Sequence, residues 1–99
     1  MSEALLRLYV AGTAPSSQRA RDNLARLQQS VLPVGLGVQV IDVLADPHLA
    51  EEAKILATPT LSYDHPSRPR RIIGDLSETR KVLDFLGFDE RDAAVATLL

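Results

Sequence analysis

Apolar and polar positions alternate between two kinds of block along the chain. Leu5-Leu6-Arg7-Leu8-Tyr9-Val10 is a nearly continuous apolar run, which suits a strand buried on both faces. Ala11-Gly12-Thr13-Ala14-Pro15 interrupts it. Ala20, Leu24, Leu27 and Val31 then recur at spacings of four, three and four, which line one face of a helix. Ser16 is the expected cap of that helix, which runs to about Val31. A turn over 33–37 leads to a second apolar strand over 38–44. Asp46-Pro47 reads as the N-cap and first position of a short helix, because a proline there gives up a donor that has no partner anyway. Helical spacing turns Leu49, Ala53 and Leu56 inward and His48, Glu51, Glu52 and Lys54 outward.

The stretch Lys54-Ile55-Leu56-Ala57-Thr58-Pro59-Thr60-Leu61 is where this charged helix gives way to an extended apolar segment. Thr58 precedes a proline and is pushed toward extended backbone; Pro59 cannot donate to a neighbour and therefore opens a strand rather than interrupting one. A second strand, Arg70 to Gly74, follows the polar Asp64-His65-Pro66-Ser67-Arg68-Pro69, so the two make a hairpin, with Pro59 expected to follow a cis bond. Ser77 is placed to cap a last helix, with Glu78 in its first turn and Val82, Leu83 and Leu86 on its apolar face. Gly87 is placed to end it, with Phe88 folding back toward Leu83. The predicted order is βαβαββα, a mixed four-stranded α/β sheet with helices on both faces, the thioredoxin-like arrangement. A chain of 99 residues is expected to make one domain, here with a loosely held tail over 89–99.

Composition narrows the chemistry. The chain has no cysteine, so disulfides, thiolate metal sites and thiol redox catalysis are excluded, although the Gly12-Thr13-Ala14-Pro15-Ser16-Ser17 loop stands where thioredoxins carry theirs. A net charge of −2 gives no general attraction for nucleic acid, and Arg68, Arg70 and Arg71 read as a solvated hairpin edge. There is no apolar run of membrane-spanning length, and Met1-Ser2-Glu3-Ala4 lacks the basic region of a secretion signal, so a cytoplasmic protein is expected. His48 and His65 have no partner at metal-ligand spacing, and Gly35-Leu36-Gly37 precedes a strand rather than a helix, so no metal or cofactor is expected. Tyr9 reads as core with its hydroxyl at a rim, and Asp42 as an acid near the exposed end of a strand. One enzyme reading stays open: glutathione-binding domains of this architecture use a strand-opening proline and a following acid or serine, which Thr58-Pro59 and Asp75 to Ser77 match loosely.

Four blocks carry a more specific likeness. Leu6-Arg7-Leu8-Tyr9-Val10-Ala11-Gly12, Val40-Ile41-Asp42-Val43-Leu44, Lys54 to Leu61, and Ile72-Ile73-Gly74-Asp75-Leu76-Ser77 resemble the KaiB family of cyanobacterial clock proteins, in order and with similar spacing from Leu5 to Leu86. The resemblance implies a non-enzymatic adaptor that binds the ATPase ring of KaiC, with a KaiA-like protein as a further partner. It also implies a family with two folds, a tetrameric ground state ordered βαββααβ and a thioredoxin-like state that binds KaiC. By position it assigns partner binding to His48, Glu51, Glu52 and Lys54, and the switch between folds to Thr58, Pro59, Phe85 and Gly87. The sensory domain of the histidine kinase SasA is related, which makes a stand-alone sensory domain the alternative. Where the family often has Gly-Leu-Asp, this chain has Phe85-Leu86-Gly87, and replacing a mid-helix glycine favours helix by up to about 1 kcal/mol. Together with the polar hairpin turn, this predicts a mainly monomeric, thioredoxin-like protein, a tetramer marking the other fold.

Overall fold

The computed structural model describes residues 5–30, 36–64 and 70–86. Its elements are β1 (Leu5–Val10), α1 (Pro15–Ser30), β2 (Gly37–Asp42), α2 (Pro47–Glu52), β3 (Thr60–Tyr63), β4 (Arg70–Ile73) and α3 (Thr79–Leu86). The four described strands form a sheet in the order β2-β1-β3-β4, with β1 parallel to β2 and antiparallel to β3, and β3 antiparallel to β4. The order βαβαββα is thus the thioredoxin-like one.

Strand β1 is apolar at every position but Arg7 because it lies inside the sheet. Leu6, Leu8 and Val10, all fully buried, point to one face and meet Leu61 and Tyr63 of β3, Ala20, Leu24 and Leu27 of α1, and Val82 and Leu83 of α3. Phe85 and Ile72 pack against this cluster from its margin. The other face of the sheet is more polar, carrying Arg7 and Tyr9 of β1, Gln39 and Ile41 of β2 and Arg71 of β4, with α2 across it. So α1 and α3 cover one face and α2 the other.

Several element ends differ from expectation, each for a local reason. Helix α1 starts at Pro15, one residue before the expected cap Ser16, because proline fits the first helical position while the Ala14 carbonyl accepts from the Gln18 amide at 3.0 Å. Ser17 is buried, and its hydroxyl accepts from the Ala11 amide at 3.0 Å. Strand β2 stops at Asp42 rather than at 44 because the Asp42 carboxylate accepts from the Leu44 amide at 3.0 Å, an Asx-turn that bends the chain. Asp46 stands at the N-cap of α2, but its side chain makes no capping bond. Ser77 does not cap α3: its amide donates to the Asp75 carboxylate at 3.1 Å, and the helix opens at Thr79 with Val82 bonded to the Glu78 carbonyl. Val31, most of the predicted turn over 33–37, His65, Arg68, Gly87, Phe88 and the tail over 89–99 lie outside the described residues.

Candidate functional site

Helix α2 is assembled on a platform that its own side chains do little to hold. It has six residues, and none of them is buried. Its leading loop is clipped by Asp42, whose Oδ1 accepts from the Gly12 amide at 3.0 Å as well as from Leu44. Those two amides hold the Asp42 carboxyl below the usual aspartate range. Gly12 has φ +52, a backbone conformation that favours glycine, and a Cβ there would stand 3.2 Å from the end of the exposed Leu44 side chain, which would have to shift.

The C-terminus of α2 is a Schellman motif. The Ile55 amide donates to the Ala50 carbonyl at 2.9 Å and the Lys54 amide to the Glu51 carbonyl at 3.0 Å. The residue this motif drives into left-handed backbone is Lys54, at φ 57, where glycine is the usual occupant. Ile55 and Ala50 border one depression with Val43, Leu56, Ala57 and Thr58. Arg71 then reaches across from β4: its Nη2 donates to the Ala53 carbonyl and its Nη1 to the Lys54 carbonyl at 3.3 Å. Arg70 points the other way, and its Nη1 donates to the Phe85 carbonyl at 2.6 Å. Arg71 is exposed, as a solvated edge requires, and Arg70 is half-buried, but both guanidinium groups are engaged by main-chain carbonyls rather than left to water alone. Strand alternation sends neighbouring arginines to opposite faces, and each meets helix-end carbonyls that lack an intrahelical partner.

His48, Glu51, Glu52 and Lys54 are all exposed, and of them Lys54 lies beyond the helix, in the turn that ends it. Of the expected inward set, Leu49 and Ala53 do border the space between α2 and the sheet, whereas Leu56 does not turn inward. Leu49 is 40% exposed and Leu56 97%, while Ala53 is half-buried. The cause is length: the helix ends at Glu52, so helical spacing says nothing about Leu56, two residues past the left-handed turn. With Leu44, 72% exposed, these leucines intersperse apolar surface among the charges. Between α2 and the sheet lies a half-open groove of about 280 Å³ bordered by Arg7, Tyr9, Gln39, Ile41, Leu49, Glu52 and Ala53. Arg7 is paired there with Asp64 at 3.1 Å, and Tyr9 is buried.

Of the residues assigned to fold switching, Thr58 borders the depression beside α2, and Gly87 lies outside the described residues. The Thr58–Pro59 bond is cis; Pro59 is buried and its carbonyl accepts from the Gly74 amide at 3.0 Å. Phe85 lies on the α1/α3 side, across the sheet from α2. Asp75, which the glutathione-type reading would use, is already engaged: it takes hydrogen bonds from Ser77 and from Arg19 Nε at 3.0 Å, and Asn23 donates to its main-chain carbonyl at 2.8 Å. The Ser77 and Arg19 contacts hold its carboxyl below the usual aspartate range. Among the described residues, no three His, Cys, Asp or Glu side chains gather to hold a metal, and no helix is long and apolar enough to cross a membrane.

Residues 7–88 match the KaiB domain family. The chain belongs to the KaiB family. The circadian clock oscillator protein KaiB of Prochlorococcus marinus (strain NATL2A) is 53% identical over 85 residues, a span covering 86% of this chain and 78% of that protein. The protein of the same name from Trichodesmium erythraeum is 51% identical over 85 residues, covering 86% of this chain and 80% of its own length. Among solved structures, the N-terminal domain of Synechococcus elongatus SasA superposes with a TM-score of 0.67 at 27% identity, over 88% of this chain and 86% of that one. Mitochondrial thioredoxin 3 from Saccharomyces cerevisiae gives a TM-score of 0.70 at 18% identity, over 89% of this chain and 81% of that one, a likeness of fold.

Proposed function

We propose that the chain is a non-enzymatic clock adaptor that binds a KaiC-like ATPase ring through the outer face of α2 and its C-terminal turn, and so regulates the ring's phosphorylation rhythm or its access to other partners. One observation carries the assignment of the face: α2 has no buried residue, yet its ends are fixed from outside by Asp42 and Arg71, so its side chains are free for a partner. His48, Glu51, Glu52 and Lys54 supply charge for orientation, and Leu44 and Leu56 supply apolar area for affinity, the mixture usual at protein interfaces. Family membership supports the choice of ring. A KaiA-like protein is the further partner in this reading, and Thr58, Pro59, Phe85 and Gly87 bias the chain toward the binding-competent monomer.

The test is titration with KaiC from the same cell. The double substitution E52K/K54E reverses two exposed charges and is expected to weaken binding by about tenfold or more, while stability stays within about 0.5 kcal/mol. Unchanged affinity in that variant moves the site off α2. The likeness to the SasA domain supports a second reading, a stand-alone sensory domain. Under that reading the chain competes with SasA for the ring but does not recruit a KaiA-like protein, which a three-component titration separates.

A further inference from the structure

We infer that Arg71 is a positioning residue for the partner-binding face, holding the C-terminal turn of α2 in the geometry a partner meets. The inference rests on the reading of α2 given above. Lys54 is both the outward cation of that face and the residue in left-handed backbone, so the direction of its side chain depends on the turn being held shut. A non-glycine residue in that conformation is disfavoured, and an isolated turn would relax out of it. The six residues of α2 are too few for a stable helix by themselves, and no buried side chain pins them.

What braces the closed turn from outside is the guanidinium. The Schellman bonds use the carbonyls of Ala50 and Glu51, and Arg71 takes two further ones, those of Ala53 and Lys54. Its two donating nitrogens form a planar fork that spans adjacent carbonyls, which a lysine ammonium cannot reproduce as well. The fork is itself held in place, because Arg71 is in β4 and pairs with Ser62 of β3 in the sheet. Arg70, its neighbour, holds the α3 end at Phe85 on the opposite face. Edge strand β4 therefore carries a two-sided clamp, and the Arg71 half of it reaches the binding element.

The experiment uses the intact chain with R71K, R71Q and R71A. Hydrogen exchange is read at the Lys54 and Ile55 amides, which close the turn, against Leu8 and Leu61 in the sheet. Affinity for the KaiC ring is read in parallel, with E52K/K54E as reference. The expected result is selective acceleration at Lys54 and Ile55, about tenfold in R71A, and binding weaker by about fivefold or more, with R71K intermediate in both. R71Q keeps a side-chain donor and part of the aliphatic stem, so it carries the measurement should R71A fold poorly. No selective acceleration means that Arg71 does not hold the turn, and the inference fails. Acceleration without loss of affinity, while E52K/K54E does weaken binding, leaves Arg71 as a purely structural residue and overturns its positioning role. Acceleration with neither substitution affecting affinity refutes the α2 reading, and the role of Arg71 in binding with it.

Discussion

Replacing Lys54 by glycine is expected to stabilise the protein, although it deletes a long side chain from a helix end. Left-handed backbone costs an L-residue about 1–2 kcal/mol, which glycine escapes. Against this, glycine gives the unfolded chain extra freedom worth about 0.4–1 kcal/mol. The Lys54 side chain is exposed, so little packing is lost with it. The net is a gain of about 1 kcal/mol for K54G relative to K54A, which removes the same side chain but keeps the strain. For a chain of this size that corresponds to a rise of about 4–8 °C in melting temperature. Denaturant titration of wild type, K54A and K54G checks it. Leu76 provides an internal contrast, since it also has positive φ, at 64, but is only 5% exposed. L76G should therefore destabilise, because burying a leucine contributes about 1.5–3 kcal/mol and outweighs the relief of strain. K54G no more stable than K54A would show that the turn at 54 is not left-handed in solution, and the account of the α2 end would fall.

Leu61 is fully buried at the centre of the sheet, and L61A should cost about 2–5 kcal/mol in equilibrium unfolding. Leu56 is 97% exposed, so L56A should change stability by less than about 0.5 kcal/mol while weakening ring binding, measured in the same titrations. Asp42 and Asp75 both have lowered carboxyl pKa values, so each contributes stability that is present above about pH 4 and is lost as pH falls through the folded-state value. D42N should accordingly be less stable than wild type at neutral pH, and the gap should close in acid, as followed by urea unfolding at a series of pH values. Backbone chemical shifts over 78–86 report the fold in solution: helical values are expected there, whereas strand values or a stable tetramer would mean that the other fold of the family prevails.

Much of this protein is legible in its sequence because the relevant signals are periodic. The run from Leu5 to Val10 identified the central strand, and the spacing of Ala20, Leu24 and Leu27 identified the buried face of α1. Pro59 and the polar turn after it marked the β3–β4 hairpin, and the same stretches carried the likeness to the family. Those features follow from which residues must leave water, which a chain expresses locally. The binding face did not follow in the same way. That Leu56 stands in solvent depends on a helix ending at Glu52, and that end is set by a lysine in a conformation for which glycine is the sequence signal. Asp42 looked like an acid at a strand end, and only the return of the Gly12 loop showed it clipping two segments 30 residues apart. The two arginines of β4 read as solvated charge because their partners are main-chain carbonyls, 15 and 17 to 18 residues distant. Carbonyls are the same at every position and leave no mark in a sequence. Which of them lack partners is decided where helices end, and which guanidinium reaches them is decided by how the sheet places its edge strand.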